Sequence, residues 1–543
     1  MRNTIEKYPY LTITILWLFV YLSHLGLLYP NIMEARNFIT AREMLTDGNW
    51  LLTTMDGLPR YEKPPLPTWI AAIFGSVFGI ENIAALRFPS ALITLILLFV
   101  FFRLSRKLTQ NKLYALISTL ILGTSFFIIF AGRNGTWDIF THSFMLCGIY
   151  YLFQFFQNQY KSYTYSLLAG LFIGLSFMSK GPVSHYALLL PFLISYGIVY
   201  KFDSFKKKWL PLFIMLIIVG FISSWWAYYI YVNDVADATR IAEKESSRWL
   251  GYEVKPFYYY WSFFAQSGVW TIPAFVSLIY PYLKKRVTHL KPYRFVLLWT
   301  ISSVILLSLI PTKKSRYLLP VLIPLALIVG FYSEYLFTAF KTKISKWEKL
   351  PVYFNYGLIG TIGVIFPLGA YLYFGEKLEG YYLWYSLLSL ALFAIGVFLW
   401  IHLLKRNFPF IFYGTVAFIM FVISLGFPLV NAILGNPSYN AISKLSDSPI
   451  PVYVLDGLAP ELVWDYGKVS VRKTKDELLS EDLEDTFGVL TYSAEMKTQL
   501  SFLNNNYLVK YKETFDLNPV DSTKRGYKNR LKADYYIVTK EEK

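Results

Sequence analysis

The sequence predicts a polytopic α-helical membrane protein, of about 13 transmembrane helices, that ends in a small α/β unit. Three observations predict it. Of the 543 residues, 55% are hydrophobic and 19% aromatic, and only 16% are charged, a low share for a soluble chain. Apolar runs of about 18–25 residues, each long enough to cross a bilayer core, recur up to about residue 431. Past residue 440 the pattern changes to short strand-like runs ("VYVL", "FGVLTY", "YYIVT") alternating with the polar helical stretch "DELLSEDLED".

The charge follows the same division. The net charge is +17, yet residues 440–543 hold 15 Lys/Arg against 17 Asp/Glu, a balance of −2 that leaves +19 on the membrane part. Such an excess orients helices and meets anionic lipid, so nucleic acid is excluded as a partner and membrane lipids are expected as one. A single cysteine, Cys147, rules out an intrachain disulfide and a cysteine metal site.

Thirteen spans read out in order: 9–28, 86–103, 113–132, 137–156, 164–180, 183–200, 209–231, 259–283, 294–311, 317–340, 352–374, 381–404 and 409–430. The run at 9–28 has no small-residue cleavage pattern after it, so no cleavable signal is expected. The stretch at 65–80, "PLPTWIAAIFGSVFGI", is short for a span, and the basic loops decide its place. Without it, and with the N-terminus cytoplasmic, the loops at 103–112, 201–208, 283–294, 341–349 and 405–406 all fall inside. The 65–80 segment is therefore expected along the outer surface, with 29–85 and about 232–258 as outer stretches and the C-terminal unit outside. No internal repeat is visible, which weakens a transporter built from inverted halves.

Basic residues on the outer face oppose the topological bias, and four places hold them. Residues 31–50, "NIMEARNFITAREMLTDGNW", favour helix, with Ile32, Ala35, Phe38, Ile39 and Leu45 on one face and Glu34, Arg36, Thr40 and Glu43 off it; an interfacial amphipathic helix is the plain reading. In "PRYEKPPLP" (59–67) the prolines stiffen a segment carrying Tyr61, Glu62 and Lys63. Either these form part of a site, or Lys63 snorkels beside a rigid turn. In "AGRNGTWDIF" (131–140) Asp138 opens a span. A carboxylate there is either functional or favoured by the helix macrodipole. In "PTKKSRYLLP" (311–320) Lys313, Lys314 and Arg316 crowd one loop before Tyr317. Their repulsion is relieved by a bound anion, or by lipid head groups. "MSKGPVSH" adds Lys180, and "EKESSRWLGYE" adds Arg248 on the same side. Cations so gathered suit a phosphate at the membrane surface, where they stabilise charge on a departing group. A neighbouring carboxylate takes a proton from an attacking hydroxyl.

The stretch "MEARNFITAREMLTDGNWLLTTMDGLPRYEKPPLPTWIAAIFGSVFG…AALRFPSAL" resembles the first outer loop of the bacterial aminoarabinose transferases and the related protein O-mannosyltransferases (dolichyl-phosphate-mannose-protein mannosyltransferase-like). "SKGPV" and "KKSRYLLPVLIPLAL" resemble further stretches of that family, in order. The resemblance implies a GT-C fold, with 1–435 as the transmembrane catalytic domain and 29–85 as its first periplasmic loop; the strand pattern and topology make 440–543 a C-terminal periplasmic α/β domain. It implies an inverting glycosyltransferase of the bacterial inner membrane that takes a sugar from undecaprenyl phosphate and gives it to lipid A, a glycan or a protein. It implies Lys63, Arg248 and Tyr317 as donor-phosphate ligands; the charge reading adds Lys180, Lys313 and Arg316 as support for the field, with Arg36, Tyr61 and Glu62 lining the site. The aromatic run 251–261, "GYEVKPFYYYW", is expected to face the sugar or prenyl tail, or to belong to the interfacial belt. It implies that no cofactor is required, a bound divalent metal being adventitious.

One departure stands out. The family carries an acidic pair before Ala-Arg, and here that pair reads Met33-Glu34. Three accounts are open: Glu34 or Asp138 is the base, the acceptor is an ionised phosphate that needs none, or transferase activity is lost. The first is the expectation. Two rivals of other classes are a lipid-linked-sugar flippase or transporter, and a non-catalytic envelope assembly protein that binds through its tail.

Overall fold

The computed structural model describes all residues except 1, 159–161, 203–207, 252, 342–343, 456, 480–482, 493–499, 504–506 and 541–543. Parts of the expected loops 201–208 and 341–349, part of "DELLSEDLED", and Tyr252 lie outside the described residues.

The protein is a multi-pass helical bundle. Among the described residues nine helices are long and apolar enough to cross a membrane, and each coincides with one of the 13 expected spans. The other four are interrupted. Lys112–Gly123 and Phe126–Arg133 form one span bent by 65° at the break between them. Pro9–Leu22 and His185–Val199 are shorter apolar helices. The expected span at 259–283 is not one helix: it breaks into 3-10 turns and the short helix Thr271–Leu278, and Gly268 turns the chain at φ 68. The 65–80 segment forms a 13-residue helix, Leu66–Phe78, too short to cross.

The stretch 29–85 folds against the bundle. Its helix Ile32–Thr46 starts at a capping box: the Asn31 side chain accepts from the backbone of Met33 and Glu34, and the Glu34 carboxylate returns a bond to the Asn31 backbone. A tight hairpin follows, β1 (Thr54–Met55) to β2 (Leu58–Pro59), with Met55 opposite Leu58. Asp56 and Gly57 both sit at positive φ, 57 and 71, as a two-residue type I′ turn requires.

The Ile32–Thr46 helix is not interfacial, as its periodicity suggested. Glu34, Thr40, Arg42 and Glu43 on its polar side are as buried as Phe38 and Ile39. Each has partners: Glu43 accepts from Thr54 and the Asp56 amide, and Arg42 donates to the carbonyls of Val463 and Trp464. The cover comes from several places: Arg87 and Gly135 over Glu34, Arg60 over Thr40, the 54–59 hairpin over Glu43 and the C-terminal domain over Arg42. Periodicity cannot foresee covers that arrive from elsewhere in the chain.

That domain is a mixed five-stranded sheet of order β4-β3-β5-β7-β6: β3 Val452–Leu455, β4 Val471–Lys473, β5 Thr486–Thr491, β6 Tyr507–Asp516 and β7 Lys532–Lys540. The three expected strands are β3, β5 and β7. Of the expected polar helix only Lys475–Leu478 is helical among the described residues. The helix Pro460–Tyr466 packs on Ile32–Thr46, and one apolar cluster joins Phe38, Ile39 and Met44 to Leu462, Trp464 and Phe515. Asp56 at the hairpin tip accepts from the backbone and hydroxyl of Ser470 and from Arg472. The 29–85 stretch and the C-terminal domain thus share one core.

Candidate functional site: an anion seat between distant segments

Three chain segments converge at the end of the bundle that carries the 29–85 stretch. The proline-rich segment presents Arg60 to Lys63. Arg60 bonds the Arg36 carbonyl and the Thr40 hydroxyl, and its guanidinium lies 5.1 Å from the Trp137 ring centroid. This places residue 60 against Trp137, the residue before Asp138 in sequence. The Tyr61 hydroxyl donates to Asp234 at 2.8 Å, where the span Trp209–Asn233 ends. Burial first, and then the Asp234 carboxylate, push the Tyr61 phenol above its ordinary value. The prolines thus hold Tyr61 and Lys63 on a segment tied at both flanks.

The second segment is the helix Val235–Gly251. One turn presents Glu245 and Arg248, and Glu245 bridges two cations: Oε1 accepts from Arg248 at 2.7 Å, and Oε2 accepts from Lys63 at 3.0 Å. Two expected phosphate ligands thus grip one small anionic group. Glu245 went unremarked in the sequence because its partner Lys63 lies 182 positions away.

The third segment is the pair of span ends around Asp138 and Lys180, whose side chains form an ion pair. Lys180 also feels the charges of Arg316 and Lys63, and Asp138 that of Arg316. Gly181, at φ 77, turns the chain just after the lysine. The cations Lys63, Lys180, Arg248 and Arg316 therefore lie along one rim.

The loop 311–317 divides. The backbone of 253–255 pairs with that of 311–313, and the Thr312 hydroxyl donates to the Arg248 carbonyl at 2.9 Å, which braces the turn under the seat. Lys313 does not join the rim: its buried ammonium donates to the carbonyls of Lys255, Ile310 and Pro311, holding the loop instead. Lys314 pairs with Glu253 at 3.3 Å. Arg316 lies over the ring of its neighbour Tyr317 at 5.8 Å, and its Nε is buried without a hydrogen bond. Tyr317 packs on the main bundle core. No bond joins Tyr317 to Lys63 or Arg248 among the described residues.

Glu34 is fully committed. Arg87 holds both of its oxygens, Asn31 donates to Oε2, and the Gly135 amide donates to Oε1 at 2.9 Å. That amide reaches Glu34 only because residue 135 is glycine, since a Cβ there would strike the Phe38 ring. This leaves the Glu34 carboxylate no lone pair facing the rim, contrary to its expected role as a base.

Arg36 and Glu62 carry buried atoms without hydrogen bonds, Nε and Oε2 respectively. Burial lowers the Arg36 pKa, and nearby Glu62 and Glu461 oppose that shift. Glu461 comes from the C-terminal domain, where Arg530 pairs with it at both oxygens. Among the described residues no three His, Cys, Asp or Glu side chains converge as a metal-ligand group would.

This architecture defines the class by fold alone: a multi-pass helical bundle carrying a small mixed-sheet domain, the GT-C fold seen in ArnT. It superposes on ArnT from Cupriavidus metallidurans bound to undecaprenyl phosphate with a TM-score of 0.67, at 15% identity, covering 98% of each chain. A family model described as dolichyl-phosphate-mannose-protein mannosyltransferase matches residues 62–228. Among relatives, the undecaprenyl phosphate-alpha-4-amino-4-deoxy-L-arabinose arabinosyl transferase of Pseudomonas paraeruginosa is 25% identical over 58% of this chain, and an uncharacterised protein of Aquifex aeolicus 26% over 60%. The matched regions span 57% and 63% of those relatives' own length.

Proposed function

We propose that this protein is an inverting glycosyltransferase of the bacterial inner membrane, moving a sugar from undecaprenyl phosphate to a periplasmic acceptor. The observation that carries the reading is the shared seat: Lys63 and Arg248, from segments far apart in sequence, converge on one carboxylate. A group of that charge and size is what a phosphate offers. The likeness to aminoarabinose transferases supports undecaprenyl phosphate as the carrier and lipid A as the acceptor, with a glycan or a protein as alternatives.

The acceptor oxygen attacks the anomeric carbon on the face opposite the phosphate. The new carbon–oxygen bond forms as the bond to the phosphate oxygen breaks, and that oxygen keeps the electron pair. Lys63 and Arg248 stabilise the growing charge, with Arg316, Lys180 and Tyr317 behind them. Asp138 is the base of this scheme. Lys180 takes its Oδ1, and no hydrogen bond to Oδ2 is recorded among the described residues. An ionised phosphate acceptor dispenses with the base. In this scheme residues 1–435 form the catalytic domain and 440–543 a periplasmic domain docked on its first loop.

Reconstitution with a labelled polyprenyl-phosphate sugar and cell-envelope acceptors tests the reading. Label is expected to move to an acceptor, and to stay on its lipid with the Lys63→Ala variant. Label that crosses the bilayer still on its carrier points to a transporter and overturns the proposal. Partner association lost on deleting the tail, with no transfer in any fraction, points to an assembly protein.

A further inference from the structure

We infer that Glu245 is an internal anion that competes with the phosphate of the lipid carrier for Lys63 and Arg248, weakening its hold and speeding product release. The inference rests on the proposed function, because it takes the seat to be the phosphate's.

The geometry is that of an occupied anion seat. Each oxygen of Glu245 takes one cation, Arg248 at 2.7 Å and Lys63 at 3.0 Å. A phosphate can take the same two donors only by displacing the carboxylate or by accepting its repulsion. The helix that carries Glu245 suits displacement. Over Val235–Gly251 the side chains are mostly exposed, and Ile241 is the buried apolar residue among those described. Thin packing makes local movement cheap. The Lys63–Glu245 pair is itself partly exposed, at 26% and 24%, so its strength is moderate and a ligand can outbid it.

Charge then separates substrate from product. Lys63, Arg248 and Glu245 sum to one positive charge, which matches the single negative charge of a sugar phosphodiester. The product is a phosphomonoester, with a charge of about −1.5 to −2 near neutral pH. Two cations without Glu245 would hold that product more tightly than the donor. While Glu245 stays beside the two cations, it therefore penalises the product most. It is a positioning residue that acts through the cations.

The experiment compares Glu245→Gln, which keeps volume and removes charge, with Glu245→Asp, which keeps charge. Binding of undecaprenyl phosphate and steady-state transfer are both measured on the reconstituted full chain. Glu245→Gln is expected to lower the Kd for undecaprenyl phosphate about tenfold, and to lower kcat and KM together as release becomes limiting. Glu245→Asp is expected to stay near wild type. A structural role would loosen binding, so an unchanged or raised Kd in Glu245→Gln overturns the inference. Lys63→Ala separates the two claims. If it weakens binding while Glu245→Gln does not tighten it, only the competition fails. If Lys63→Ala leaves binding unchanged, the phosphate seat and the function built on it fail together.

Discussion

The guanidinium of Arg87 grips both carboxylate oxygens of Glu34, Nε to Oε1 at 2.7 Å and Nη2 to Oε2 at 3.0 Å. Both side chains are buried, 4% and 1% exposed. Removing one partner leaves an unpaired buried charge, which costs about 3–5 kcal/mol. Glu34→Gln is therefore expected to lower the unfolding midpoint in detergent markedly. Loss of transfer with an unchanged midpoint would return Glu34 to the chemistry.

Asp138→Asn should differ from Glu34→Gln in the chemistry. It too leaves a buried cation, Lys180, without its partner and should lower the midpoint; if Asp138 accepts the acceptor's proton, the folded fraction should in addition lose about 10²–10⁴-fold in kcat. A single-turnover assay with bound donor reads this step. Wild-type rates would favour an acceptor that is already ionised.

Lys63 and Lys313 are expected to part company, although both are loop lysines. Lys63→Ala should cut transfer by about 10²-fold or more through lost stabilisation of the leaving phosphate. Lys313→Ala removes a brace on three carbonyls and should instead cost about 1–3 kcal/mol of stability. Donor affinity in Lys313→Ala should stay near wild type; a drop matching that of Lys63→Ala would put Lys313 on the rim after all.

The C-terminal domain should loosen when Asp56 is lost. Asp56→Ala strips partners from Ser470 and Arg472 at the hairpin tip. Limited proteolysis is expected to release a C-terminal fragment faster than from wild type, while the helical bundle stays resistant. Equal release rates would mean the shared apolar core alone holds the domain.

The Lys63–Glu245–Arg248 bridge carries a pH signature. Burial raises the Glu245 pKa, but Lys63 and Arg248 together outweigh it and hold the carboxyl below its ordinary 4.5. A depressed carboxyl contributes stability above its unfolded pKa and loses it as pH falls through the folded value. The difference in unfolding midpoint between wild type and Glu245→Gln should be flat across about pH 6–8 and narrow only below about 4.5. A difference that varies near neutrality would assign the titration to another group.

Composition and apolar run length by themselves determined the membrane bundle and the span positions, because a bilayer demands about 20 apolar residues wherever the chain crosses. Alternating strands past residue 450 were legible for the same local reason, as was the family resemblance carried by the run from Met33 to Pro67. Helix continuity was less legible. The 259–283 run is apolar throughout, yet it turns at Gly268, where backbone conformation and not hydropathy decides. Only the tertiary structure decided which charges meet. Lys63, Lys180, Arg248 and Lys313 look alike as basic residues near one surface. Their roles diverge because Glu245 reaches Lys63, Asp138 reaches Lys180 and the Lys255 carbonyl reaches Lys313, each from another segment. An ion pair or a buried donor is defined by its partner, and a partner some 180 residues distant leaves no periodicity to read.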